Sequence, residues 1–378
     1  MKSSVGILLL LCAVLSFSGL HYPAFGQTDL RLHAIALEQQ GQTAEAEQAW
    51  RDILQAHPHN AEALAHLGLL EARQERYDSA IAYYREALAI DPVFPGLQLD
   101  LGLALFKTSR FREAAQSFKA ALQKDPGNQR LTILLGMSYY GLGSYADAIP
   151  YLKRAAANDL QNLPLRLTLA HSCLWAKQFS CVLDVYQQIL SLNAESAEAD
   201  MLAGEAMDAM GNSAGAIEQF RAAERTNPNE PNVHFGLGYL LWTQKQYSDA
   251  AKEFQAELDN NPRNGHARAY LGDTLIHQND YAQAEPELKK AVAADSSFAL
   301  PYLDLGIIYA GSGRNDDAIQ AFQKVIALEP RDVDAHWRLA RLYQSMGRTG
   351  EAKAEFAKVS VMKREQDQNP RPQPLSIP

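Results

Sequence analysis

The segment "HSCLWAKQFSC", residues 171 to 181, gathers His171, Cys173, Trp175 and Cys181. Histidine and cysteine are metal ligands, thiolates are nucleophiles, and two neighbouring thiols can oxidise to a disulfide. Spacing separates these chemistries. Cys173 and Cys181 stand eight residues apart, which is not the C-x-x-C of a zinc or redox site, and no second cysteine pair supplies further ligands. No metal site is therefore expected. Two readings stay open for the thiols: simple packing, or a Cys173–Cys181 disulfide, which requires a Cα separation of about 4.4–6.8 Å.

No other motif suggests catalysis. HExxH, GxSxG, a Walker loop and GxGxxG are missing, acidic residues are spread along the chain, and the histidines do not cluster with them. No enzymatic activity and no cofactor are expected. Net charge is −9 with no Lys/Arg block, so the electrostatic footprint of a nucleic-acid binder is lacking.

The elements that carry residues 171–181 are copies of a repeat. Pro58, Pro92, Pro126, Pro228, Pro262 and Pro330 follow His, Asp, Asn or Glu at spacings of 34 residues or multiples of it. Ten units fit at that period over residues 27–366 without insertion or deletion. One column is small (Ala34, Gly68, Gly102, Gly136, Ala170, Gly204, Gly238, Gly272, Gly306, Ala340). A column twelve residues later is alanine in every unit but one, where it is Val182. Four residues further on the column is always large, from Trp50 and Tyr84 to Phe322 and Phe356. Small residues allow two helices to approach closely, and the large side chain fills the space beside the contact.

Asn60, Asn128, Asn162, Ser196, Asn264 and Asp332 share a column where N-caps belong. Pro95 and Pro231 follow, expected at the first helical position. Gly41, Gly143, Gly211, Gly313, Gly347 and Asn279 share the column between the two helices of a unit. Pro150 and Pro286 share one near the start of the second helix, where a proline is expected to be least damaging. The expected fold is all-α: an α-solenoid of ten helix-turn-helix repeats, each burying its apolar face only against its neighbours.

A 34-residue helix pair with small, small and aromatic columns and a terminal proline resembles the tetratricopeptide repeat (TPR), in an exported protein of bacterial type. Departures include Leu64, Gln98, Arg166 and His234 where the pattern's early tryptophan would stand. The resemblance implies a right-handed superhelix whose first helices line a concave groove for extended peptides or partner proteins. Projected onto this sequence, the groove-facing columns give an apolar and aromatic middle whose chief members are Phe106, Met137, Tyr140, His171, Trp175, Met201, Phe235, Tyr239, Trp242 and Tyr270. Polar ends flank it, Arg31 and Glu38 on one side and Asp334, Arg338 and Arg341 on the other. A contiguous aromatic patch marks an interaction site, unless these rings pack against facing helices of the same chain. The alternative role is a structural subunit of an envelope or secreted assembly that docks through outer surfaces or solenoid ends.

Residues 1–26 read as a secretory signal peptide, with Lys2 before an apolar run from Val5 to Phe17 and a cut after Gly26 or, alternatively, after Ser18. The run is too short for the ~20 residues of a membrane crossing, although an uncleaved N-terminal anchor is the rival reading. Leu11 before Cys12 argues against a lipoprotein signal. A periplasmic or secreted location is expected, with no stable membrane span once the signal is removed. Residues 367–378 form a Pro-rich tail expected to lack order.

Overall fold

A computed structural model describes residues 27–192 and 195–368; residues 1–26, where a signal peptide is expected, and tail residues 369–378 lie outside the described residues. The chain forms two compact units, one through Leu131 and one from Thr132 onward. Twenty helices, α1 (Gln27–Gln39) to α20 (Thr349–Gln368), give two helices to each of the ten expected repeats, and no strand occurs among the described residues. No described helix is long and apolar enough to cross a membrane.

The repeat columns have direct structural causes. All six expected cap residues accept a hydrogen bond from the backbone N–H three residues ahead, at 2.7–3.2 Å. The small column exists because the large side chain of the second helix occupies the place of a Cβ. A Cβ on Gly68, Gly102 or Gly306 would sit 2.5 Å from the ring of Tyr84, Phe118 or Phe322, and on Gly272 it would meet Leu288 at the same distance.

Two expectations about proline need correction. Pro95 and Pro231 are not in the first turn of a helix, because α5 (Leu97–Lys107) and α13 (Val233–Thr243) begin two residues later. Each proline is the second residue of a turn closed by a bond from Leu97 N–H to the Phe94 carbonyl, or from Val233 N–H to the Glu230 carbonyl. Gly96 (φ 78°) and Asn232 (φ 65°) supply the left-handed third residue that such a turn demands. Pro150 and Pro286 lie in the second turn of α8 (Tyr145–Asn158) and α16 (Tyr281–Ala294), where each forgoes one bond of the helical ladder.

The column between paired helices is left-handed in all ten units, including four where the sequence offers no glycine or asparagine: Glu75, Ser109, Lys177 and Lys245, with φ of 57–60°. A side chain with a Cβ costs about 1–2 kcal/mol there, against the extra chain entropy of glycine when unfolded. Lys245→Gly is expected to stabilise the second unit by about 0.5–1 kcal/mol, read as a higher urea midpoint; a lower midpoint would contradict this account of the turn.

Candidate functional site

In the first unit, α5 carries Phe106, half-buried, with its ring 5.3 Å from Phe111 in an edge-on contact. The polar residues ahead of it are already engaged. Arg31 makes a two-pronged pair with Glu62 at 2.6 and 2.7 Å, and Glu38 accepts from Trp50 Nε1 and contacts His66 Nδ1.

The remaining candidates lie in the second unit. Helices α7 (Gln129–Gly141), α9 (Leu163–Trp175), α11 (Ala197–Ala209), α13 and α15 (Gly265–His277) are the first helices of successive repeats and carry them. Met137, Tyr140, His171, Met201, Tyr239 and Trp242 are half-buried. Trp175 is 63% exposed and stacks on Tyr145 at 6.0 Å, and Tyr145 meets Tyr140 edge-on at 5.7 Å. His171 Nε2 lies 2.7 Å from Glu198 Oε1.

Phe235 and Tyr270, by contrast, are core residues, only 4% and 9% exposed. Phe235 is walled in by Phe254 (6.0 Å), Tyr270 (5.9 Å) and His266 (6.5 Å). Tyr270 also takes the edges of Tyr239 and Trp242 at 5.4 and 5.2 Å. Self-packing therefore accounts for these two, while Tyr239 and Trp242 cover them and keep part of their own surface in solvent.

The apolar reading of this face missed its carboxylates. Glu205, Asp208, Asp273 and Asp304 occupy the same first-helix columns as the aromatic residues, so carrying the projection through every unit would have found them. Asp273 accepts from Trp242 Nε1. Asp304, on α17 (Leu300–Gly311), is 2% exposed, and its Oδ2 has no hydrogen-bond partner among the described residues. Burial, reinforced by the neighbouring Asp273, holds the Asp304 carboxyl well above the usual carboxylate range. Burial also raises Asp208 and Asp273. Glu205 is pushed up to about 7 by burial alone.

These shifts set a pH dependence. An unfolded glutamate releases its proton near 4.5, whereas folded Glu205 keeps it to about 7. Between those values the folded state binds more protons, so stability falls as pH rises. At 1.36 kcal/mol per pKa unit the ceiling is about 3 kcal/mol, and partial solvent access lowers the expectation to about 2. The oppositely shifted Glu285, held at about 2 by hydrogen bonds from Arg314 and Lys289, acts at lower pH and does not cancel the effect. Urea unfolding is expected to show greater stability at pH 5 than at pH 7.5, with the difference reduced in Glu205→Gln. An unchanged difference would remove Glu205 as its source.

The two cysteines of the opening segment are bonded. Cys173 near the end of α9 and Cys181 in the first turn of α10 (Phe179–Ser191) form a disulfide with a Cα separation of 5.8 Å. Although no metal site was expected, the structure brings Glu224, His234 and Glu253 together from three helices.

Antiparallel helix pairs stacked in register, with an aromatic face on the first helices, define the second unit as an α-solenoid. The chain belongs to the tetratricopeptide-repeat family: models of that repeat match residues 31–93, 99–162, 201–264, 235–297 and 309–371. Proteins of this family are generally non-catalytic scaffolds that bind protein or peptide partners. No curated protein matches the sequence. Among solved structures, the APC/C hetero-tetramer Cut9–Hcn1 shares the fold at 14% identity and a TM-score of 0.50, over 84% of this chain and 76% of that one. MamA from Desulfovibrio magneticus RS-1 is 26% identical over 46% of this chain and 99% of its own, with a TM-score of 0.42. YrrB, described as a TPR protein with an unusual peptide-binding site, is 19% identical over 48% of this chain and 94% of its own, with a TM-score of 0.41.

Proposed function

We propose that the protein is an exported, non-catalytic interaction scaffold that holds an extended peptide or a partner's extended segment on the first-helix face of its second unit. The observation that carries this reading is the solvent-accessible aromatic series Tyr140, Trp175, Tyr239 and Trp242, with Met137, His171 and Met201 beside it. Aromatic residues and methionine are enriched where proteins bind one another, and the rings lose little conformational freedom on doing so. Half-buried Glu205 and Asp208 favour a segment that is mainly apolar but carries a lysine or arginine, since a nearby cation draws their carboxyls toward the ionised form and is held by the ring faces as well. In the first unit, Phe106 is the corresponding candidate. Phe235 and Tyr270 support the rings above them rather than touch a ligand. The Cys173–Cys181 bond fits an oxidising compartment and so supports export.

The test is to select peptides from a random display library on the full chain. The best binder is then titrated against wild type and a Trp175→Ala/Tyr239→Ala/Trp242→Ala variant whose fold is verified by circular dichroism. A folded variant is expected to bind at least 100-fold more weakly. Equal affinity would move the binding surface elsewhere, with the solenoid ends next in line.

A further inference from the structure

We propose that Glu224, His234 and Glu253 form a binding site for a divalent first-row transition metal, separate from the aromatic face. The three come from α12 (Ser213–Thr226), α13 and α14 (Tyr247–Asn260), and their ligand atoms all lie within 4.8 Å of one another. His234 is buried and the two glutamates are half-buried, so the cluster is not a chance meeting of solvated side chains.

The repeat supplies two internal controls. In the columns of His234 and Glu253, the eighth unit has Arg268 and Glu287 and the tenth has His336 and Glu355, paired in the same way. Both of those glutamates carry a second cation, Lys290 at 2.6 Å and Lys358 at 2.7 Å. In the seventh unit the lysine column holds Ala256 instead. The adjacent Lys252 is directed to Asp249 at 2.8 Å. Where the controls place Leu258 and Ile326, this site adds a further carboxylate, Glu224. His336 also engages the Pro330 carbonyl through Nε2, but the matching Pro228 carbonyl is held by Asn260 and makes no bond to His234.

The site has therefore lost the direct lysine contact of its equivalents and gained an anion. Two partly desolvated carboxylates paired with one imidazole favour a further bound cation. One nitrogen and two oxygen donors suit zinc or a similar metal better than calcium or magnesium, which prefer oxygen alone. Bonds of about 2.0–2.2 Å would draw the carboxylates inward, with water completing the coordination shell. Bound metal would clip the second helix of one repeat to both helices of the next.

The experiment uses untagged full-length chain, stripped with chelator and titrated with zinc chloride by calorimetry and thermal melting. The variants copy the controls: His234→Arg introduces the residue type of Arg268, and Glu224→Leu that of Leu258. One zinc per chain and a raised Tm are expected for wild type. Each variant should stay folded, bind at least 100-fold more weakly and lose the Tm increment. No saturable binding to wild type, or undiminished binding to both variants, overturns the proposal. Neither outcome bears on the peptide reading.

Discussion

Phe220→Ala is expected to lower the stability of the second unit by about 3–5 kcal/mol, the usual cost of removing a fully buried ring. Phe220 is 1% exposed on α12. Its ring lies where a Cβ of Gly204 would be, at 2.7 Å, and also meets the place of a Cβ on Gly236, so one side chain fills space left by glycines on α11 and α13. Truncation opens a void against both its own repeat and the next. Phe220→Leu should cost only about 1 kcal/mol, because Leu152 and Leu288 fill the same column in other units. Gly236→Ala is expected to cost about 1–3 kcal/mol beside phenylalanine and less beside leucine. A double-mutant cycle by urea denaturation measures that coupling. Additive effects would show that the ring and the glycine do not depend on each other.

Reduction of Cys173–Cys181 is the second large effect. The cysteines are eight residues apart, and closing so short a loop restricts the unfolded chain by an amount worth about 2–3 kcal/mol. Cys173 is fully buried and belongs to the core cluster that includes Leu169, Val182 and Val185, so the bond ties the two helices of the fifth repeat at their packed face. Adding reductant should lower the urea midpoint of wild type while leaving Cys173→Ala/Cys181→Ala unmoved from its own, lower value. If wild type ignores reductant, the bond contributes nothing to equilibrium stability.

The fold was legible because the repeat period never slips. Caps, glycine turns and the small–large interlock are local requirements, and each recurs in phase. Pro95 and Pro231 were misplaced because proline suits both the first turn of a helix and the second position of a turn; the following Gly96 and Asn232 carried the deciding signal. The binding face was less legible. A column gives the side of a helix but not the depth, and Phe235 and Tyr270 are covered by rings from neighbouring units. Asp304 shares its column with residues as different as Leu202, Tyr270 and Arg338, so the column gives no sign that its carboxyl is buried. Glu224, His234 and Glu253 are distributed over 30 positions and three helices, so no short motif announces them.

The turns at Pro95 and Pro231 carry one more implication. They are 136 residues apart (231 − 95), as are Pro150 and Pro286 (286 − 150), and so are Leu152 and Leu288, the two leucines of the interlocking column. Residues 95–162 and 231–298 are thus two-repeat blocks that carry a proline turn, a helix proline and a leucine at matching positions. Exchanging one block for the other would keep all three features in place, whereas replacing either with two consensus repeats would erase them.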